Sequence, residues 1–482
     1  MTDHARKLVS QTILYLPAQF LPPLLQFATM IVWTHLLRPD GFGITSFVLA
    51  AQEFTAMLAI TWWSLFVLRF RSRYADQSAE RFRQMDSLVV GCSILLQLAL
   101  TLPVLALSGA TLDLPLFLST AGFFIMRTIF AHYGDWARAD QRIAAFTTAQ
   151  LIGAVGASGL SILALLVLGP VPAAALGAQG LSYGIALILL ARTVGLRVQF
   201  GRFDRNIYGS AMRYGGPLIL SGVLSWAASN SIRIIVQVAE GAVGLGLFSV
   251  GWSLGQRVAT VLAMLFAAAA YPLAVSNLEG GDRHGALSQV SLNGVFLLTM
   301  LMPASAGVAL LSAPLVNMLI AEPFRAVTIV ILPIAILAAA VRALRIHTSD
   351  QTMVLLEHTY ATLYVSIFEA AANAVCGVIG LLWGGIVGAA LGVLAGTTAA
   401  AVVSFAYSFL RLGLPVPSIW TLLRIVLATL VMSTGIWFLP TPAGIGAVVL
   451  TVVAGAAAYA AMILLTFPEC RIMVGRQLRG EA

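Results

Sequence analysis

Apolar stretches of about 20 residues, each long enough to cross a bilayer as a helix, follow one another along the whole chain. Fourteen are counted, at approximate limits 11–36, 42–67, 87–108, 115–134, 144–168, 173–194, 214–238, 244–274, 288–311, 326–346, 359–382, 385–410, 419–439 and 443–467. Charged residues make up only 10% of the 482 and hydrophobic ones 60%; a soluble domain carries about 25% charged. The pattern predicts an all-α, polytopic membrane protein. The net charge of +8 does not point to nucleic acid, because the arginines are scattered over short loops. Cys92, Cys376 and Cys470 lie far apart, with no paired spacing for a disulfide or metal site, and no cofactor is implied. The apolar run behind His4, Arg6 and Lys7 is too long for a signal h-region and reads as an uncleaved first helix.

The charges orient the spans. Arg6, Lys7, Arg69, Arg71, Arg73, Arg81, Arg83, Arg138, Arg142, Arg342, Arg345 and others place 22 basic residues on the side holding both termini. The opposite loops hold only Arg38 and Arg325. The positive-inside rule makes both termini cytoplasmic. The longest external loop, Ser312–Arg325, is itself apolar and can dip into the membrane. No loop is large enough for a soluble catalytic module, which argues against an enzyme.

The segment Arg213–Arg257 carries the chemistry. Two apolar helices joined by a turn at Ala239–Val243 each hold an arginine, Arg233 and Arg257, within a span. Charge at that depth costs about 2.5–3.5 kcal/mol on insertion scales and usually faces protein or a wet cavity. Trp226, Ser229, Asn230 and Gln237 share a helical stripe with Arg233; Ser249, Ser253, Gln256 and Thr260 continue a similar stripe around Arg257. The pair reads as the wall of an electropositive cavity, against the alternative that each arginine snorkels or pairs with a carboxylate. Arg127 is open between cavity lining and snorkelling toward Asp135. Glu53 and Glu369 are read as the carboxylates well inside spans, and either can partner an arginine or carry a proton. For Glu369 an interhelical hydrogen bond is an equal alternative.

The first span places Tyr15, Gln19, Gln26 and Trp33 on one stripe, interrupted by Pro22 and Pro23, where a kink is expected. That kink is either a gating hinge or a static bend. Trp62 and Trp63 read as interfacial anchors. Gly- and Ala-rich runs such as GGIVGAALGVLAG read as close-packing surfaces.

An internal repeat joins His35–Phe47 to Val238–Val250. Matching Gly43 to Gly246 gives an offset of 203 that carries Ser46 onto Ser249 and Glu53 onto Gln256. Six spans fit that offset, so the repeats run in the same direction, a plan recurrent in transporters with the site between lobes. The expected organisation is a six-helix lobe at 1–205, a second at 206–412, and two further helices with a tail at 413–482.

These residues resemble the Wzx-type oligosaccharide flippases of polysaccharide biosynthesis, in the superfamily that also holds multidrug/toxin extruders and the lipid II flippase. WTHLLRPDGFGITSF resembles the family's opening hairpin, with His35 in place of a usual arginine and Thr45 in place of a usual tyrosine. In the second-half hairpin, Tyr214, Pro217, Arg233, Gly246, Phe248 and Ser249 fall at matching places, and Ile232 replaces the acidic residue that often precedes the arginine. Ala313–Ile334 is similar to the family's turn between the ninth and tenth helices, with Ala321 replacing a glycine.

The resemblance implies an alternating-access flippase in the bacterial inner membrane, moving an undecaprenyl-diphosphate-linked oligosaccharide to the outer leaflet. Membrane lipids and a polysaccharide polymerase or export proteins would be its other partners. Guanidinium forks suit a diphosphate. A cation or proton-coupled drug antiporter on the same fold, a membrane polysaccharide polymerase and an export-complex scaffold are the alternatives.

Overall fold

The computed structural model describes residues 3–74, 79–195, 198–199, 201–442 and 444–467, without the side chains of residues 3–16 and 265–272. The expectations for Arg6, Lys7 and Tyr15 fall on side chains the structure does not describe, and Arg197, Cys470, Arg471, Arg476 and Arg479 lie outside the described residues. Every described element is helical. The chain clusters into two compact units, Met1–Ser249 and Val250–Ala482; the lobes expected from the repeat divide it at residue 205 instead.

The first unit contains α1 (Asp3–Leu36), α2 (Pro39–Ala56), α3 (Trp62–Phe70), α4 (Ala79–Leu107), α5 (Leu114–Ala139), α6 (Ile143–Val167), α7 (Pro172–Val194) and the first part of α8 (Arg205–Glu279). The rest of α8 belongs to the second unit, with α9 (Arg283–Leu310), α10 (Ser312–Leu319), α11 (Glu322–Arg345), α12 (Gln351–Leu355), α13 (Thr359–Tyr407), α14 (Ile419–Phe438) and α15 (Ile445–Thr466). Local chemistry sets these boundaries. Prolines begin α2, α5, α7 and α11, where a missing N–H costs nothing. Asp113 and Asp282 accept backbone N–H groups at the starts of α5 and α9. The apolar segment Ser312–Arg325 contains the eight-residue α10.

Eleven helical segments among the described residues are long and apolar enough to cross a membrane. Two of them, Arg205–Met264 and Thr359–Leu412, are each broken by glycine. Gly241 (φ 66°, ψ −167°) and Gly385 (φ 58°, ψ −146°) adopt backbone conformations that side-chain-bearing residues avoid. They fall at the two turns expected at Ala239–Val243 and between 382 and 385. Beyond Gly385 the small-residue run packs as expected: Cβ atoms built on Gly388 and Gly392 would meet the carbonyls of Gly380 and Cys376, both at 2.0 Å.

α1 is helical through Pro17, Pro22 and Pro23. Three five-residue π turns interrupt the helices, Met57–Thr61, Ile346–Asp350 and Ser408–Leu412, and the last two carry buried polar residues. The first unit's core is aromatic, with Trp63, Phe66, Phe82, Phe130, Trp136 and Phe146 buried together.

Candidate substrate-binding site

The two glycines aligned by the repeat touch. A Cβ built on Gly43 would lie 1.9 Å from the Ala242 carbonyl oxygen, and one on Gly246 would lie 1.9 Å from that of Pro39. Both pairs exchange under the offset of 203, which carries Pro39 onto Ala242 and Gly43 onto Gly246. α2 and the arm of α8 that follows Gly241 therefore cross backbone to backbone, a contact that hydrogen-only side chains permit.

One turn further along, the repeat-related serines converge on one cation. Arg233 Nη1 donates to Ser46 Oγ at 2.8 Å and to Ser249 Oγ at 3.2 Å. Arg233 is half-buried and Ser249 fully buried. Ile232, the residue before it, is also buried, and the contacts fixing this arginine at the crossing include neutral hydroxyls.

The other stripe members have their own anchors. Trp226 Nε1 donates to the Ala50 carbonyl at 3.0 Å and its ring lies 4.8 Å from Phe54, pinning α8 against α2. Asn230 Nδ2 bonds back to the Trp226 carbonyl at 3.2 Å. Gln237 is buried beside Gly109. On α1, Gln19 and Gln26 are exposed and Trp33 is buried. Arg257, in the second unit, is half-buried, as are Ser253 and Gln256.

Arg127 does not reach toward Asp135. Its Nη2 lies 4.0 Å from Glu53 Oε1, and its guanidinium sits 5.6 Å from the Phe123 ring centre. Asp135 is taken by Arg138, three residues on, whose position on the same helix face makes it the nearer partner.

Glu369 occupies a different setting from the one its isolation in sequence suggests. It is 1% exposed. Arg342 Nε donates to Oε1 at 3.0 Å and Arg345 Nη2 to Oε2 at 2.9 Å. Arg345, itself 2% exposed, also lies 3.2 Å from Asp350 Oδ2. Ser404 donates to Asp350 Oδ1 at 2.7 Å, and Ser349 bonds both Ser404 and Ser408. The π turns at Ile346–Asp350 and Ser408–Leu412 bring these serines together. Arg342 and Arg345, expected among loop charges, close the last turn of α11 and are ion-pair partners. Glu369 thus joins α13 to α11 through both arginines.

The first unit has a counterpart that the sequence reading missed. Asp86 Oδ1 accepts from Trp63 Nε1 at 2.7 Å and lies 2.9 Å from His132 Nε2; His132 Nδ1 is 2.8 Å from Ser64 Oγ. All four residues are buried. Trp62 and Trp63 are thus core residues, not interfacial anchors: they are 9% and 0% exposed, and Trp63 stacks on Phe82. α4 begins at Ala79, eight residues before the apolar run, which carries Asp86 inside the fold. Among the described residues there is no cluster of metal-ligating side chains.

A family model described as "Polysaccharide biosynthesis protein" matches residues 8–277, more than half of the chain. The chain belongs to this family. No curated protein matches it. Solved structures share the fold of this chain at low identity. A lipid II flippase MurJ in an inward closed conformation has a TM-score of 0.77 at 14% identity, covering 95% of this chain and 99% of that one. An inward-facing multidrug resistance MATE transporter of the MOP superfamily has 0.65 at 16%, covering 83% and 98%. A MATE transporter from Vibrio cholerae has 0.54 at 17%, covering 84% and 96%. The chain is therefore a multi-pass membrane protein with the fold shared by these MurJ and MATE structures.

Proposed function

We propose that the protein is a flippase that moves a lipid-linked, diphosphate-bearing oligosaccharide from the cytoplasmic to the outer leaflet by alternating access. The observation that carries the reading is the half-buried guanidinium of Arg233, fixed at the glycine crossing by two repeat-related hydroxyls. An anionic head group suits that charge, and sugar hydroxyls suit the indole and amide that share its stripe. Membership in a polysaccharide biosynthesis family supports a saccharide-bearing cargo.

Arg257 is the second head-group contact, with Trp226, Asn230, Gln26 and Arg127 as further lining. Two six-helix lobes, at 1–205 and 206–412, alternate about the repeat axis, with α1 bending at Pro22 and Pro23. Counting the two glycine-broken segments twice and adding α1 gives fourteen crossings. Both termini lie in the cytoplasm and the membrane is the bacterial inner membrane. A polymerase or export protein takes up the product.

A cation antiporter on the same fold needs carboxylates available to its cargo. Here Glu369 is held by two arginines and Glu53 faces Arg127, which weighs toward the anionic lipid. The test is polysaccharide export in cells carrying Arg233→Ala or Arg257→Ala at matched membrane abundance. Loss of export in both is expected; wild-type export in both rejects the reading.

A further inference from the structure

Away from Arg233, the first unit contains a small polar cavity of about 170 Å³, lined by Arg71, Arg83, Arg142, Asp86, Asp140 and Trp136 among others. Its lining is unusual for a membrane helix bundle because three guanidinium groups face one enclosed space. Arg71 is the deepest of them. Its side chain is only 10% exposed, with the guanidinium 4.7 Å from the Trp136 ring centre and 5.9 Å from that of Phe82. Nε lies 3.4 Å from Asp140 Oδ1 without making a hydrogen bond, and Nη1 has no hydrogen-bond partner. Buried guanidinium N–H groups are costly to leave unmatched, so an unmatched pair beside a cavity marks a place for an acceptor.

The carboxylates do not make this a cation site. Asp86 is occupied by Trp63 and His132, and Asp140 faces Arg71. Three arginines against two aspartates leave the lining with a formal charge of +1. Arg142 donates to the Thr193 carbonyl, which fixes it at the end of α7. The volume selects the ligand: at about 30 Å³ per water it holds roughly five non-hydrogen atoms, one phosphate group and not a nucleotide or disaccharide.

We propose that this cavity is a phosphate-binding site, distinct from the substrate site, that takes either the phosphate of an anionic phospholipid head group or free inorganic phosphate. Basic pockets at the cytoplasmic ends of membrane helices recognise lipid phosphates by the same physics.

The test uses the full-length, delipidated protein in neutral detergent. Inorganic phosphate is titrated calorimetrically against a chloride background, and phosphatidylglycerol adducts are counted by native mass spectrometry after passage through phosphatidylcholine nanodiscs with and without phosphatidylglycerol. Arg83→Gln, on the half-exposed rim, is expected to weaken binding about tenfold, one charge-assisted hydrogen bond. Arg71→Lys, which keeps the charge and loses the fork, is expected to do the same. Phosphate heat with no retained lipid supports a free-phosphate site; phosphatidylglycerol adducts lost in Arg83→Gln support a head-group site. Neither signal in the wild type, or binding unchanged in both variants, overturns the proposal. So does phosphate binding lost in Arg233→Ala but kept in Arg83→Gln, which assigns the anion to the substrate site.

Discussion

Replacing Gly246 by alanine puts a methyl carbon 1.9 Å from the Pro39 carbonyl oxygen and 3.1 Å from Gly43 N. Carbon and carbonyl oxygen approach no closer than about 3.3 Å even in the close contacts between packed helices. The crossing must therefore open by about 1.4 Å, along a stretch where both helices are held by Arg233 on two serines and by Trp226 on Ala50. Packed interiors do not absorb such a shift without loss, and overpacking costs about 1–3 kcal/mol, sometimes more. Because the obstructing atom is backbone, the upper end applies: about 3 kcal/mol, or roughly a hundredfold in the folded-to-unfolded ratio. Gly43→Ala should cost as much, since its methyl meets the Ala242 carbonyl at the same distance. Both changes open one crossing, so the double variant should cost less than the sum. Gly91 and Gly159 supply the control, because a methyl on either meets nothing within 4 Å. There alanine should hold or raise stability through helix propensity, by up to about 1 kcal/mol. The assay is the temperature at which purified protein loses monodispersity on fluorescence-detected size-exclusion chromatography. Gly43→Ala and Gly246→Ala variants melting with the wild type would refute the crossing.

Four further outcomes follow from the ion pairs and buried polar groups. Glu369→Gln weakens the partner of a 2%-exposed arginine and should destabilise by about 3–5 kcal/mol, read as a lower melting temperature and less inserted protein. Replacing Glu369 and Arg345 together by leucine and methionine should recover part of that loss. Trp63→Phe removes the indole donor to Asp86 at nearly constant shape and should cost about 1–3 kcal/mol on the same melt. Glu53→Gln, at a 4.0 Å pair with a 53%-exposed carboxylate, should change the melt by no more than about 1 kcal/mol.

How much the sequence could say depended on whether a feature was local. Hydropathy located the spans, and the gaps between them fall at the breaks seen at Gly241 and Gly385, because apolar runs are read within one stretch of chain. The repeat offset even paired Ser46 with Ser249, which meet on Arg233. Partners on other helices were hidden. Arg342 and Arg345 sit where spans end and read as loop charges; only the packing of α13 against α11 shows them embracing Glu369. Arg127 had Asp135 at a plausible helical distance, but Arg138 competes for it from the same face. Trp62 and Trp63 have the amphipathic rings of interfacial anchors, yet Trp63 is buried against Phe82 and Asp86 of α4, and Trp62 packs on Tyr208 and Gly215 of α8. Asp86 escaped notice because α4 extends into polar sequence that hydropathy left outside the span.

The head-group claim is tested most directly by transbilayer movement of a fluorescent polyprenyl-diphosphate oligosaccharide in proteoliposomes holding wild-type protein or the Arg233→Ala variant at equal insertion. The account predicts movement in the wild type and an initial rate lower by about tenfold or more in the variant, the loss of one charge-assisted contact to phosphate. Equal rates in the two preparations would contradict it.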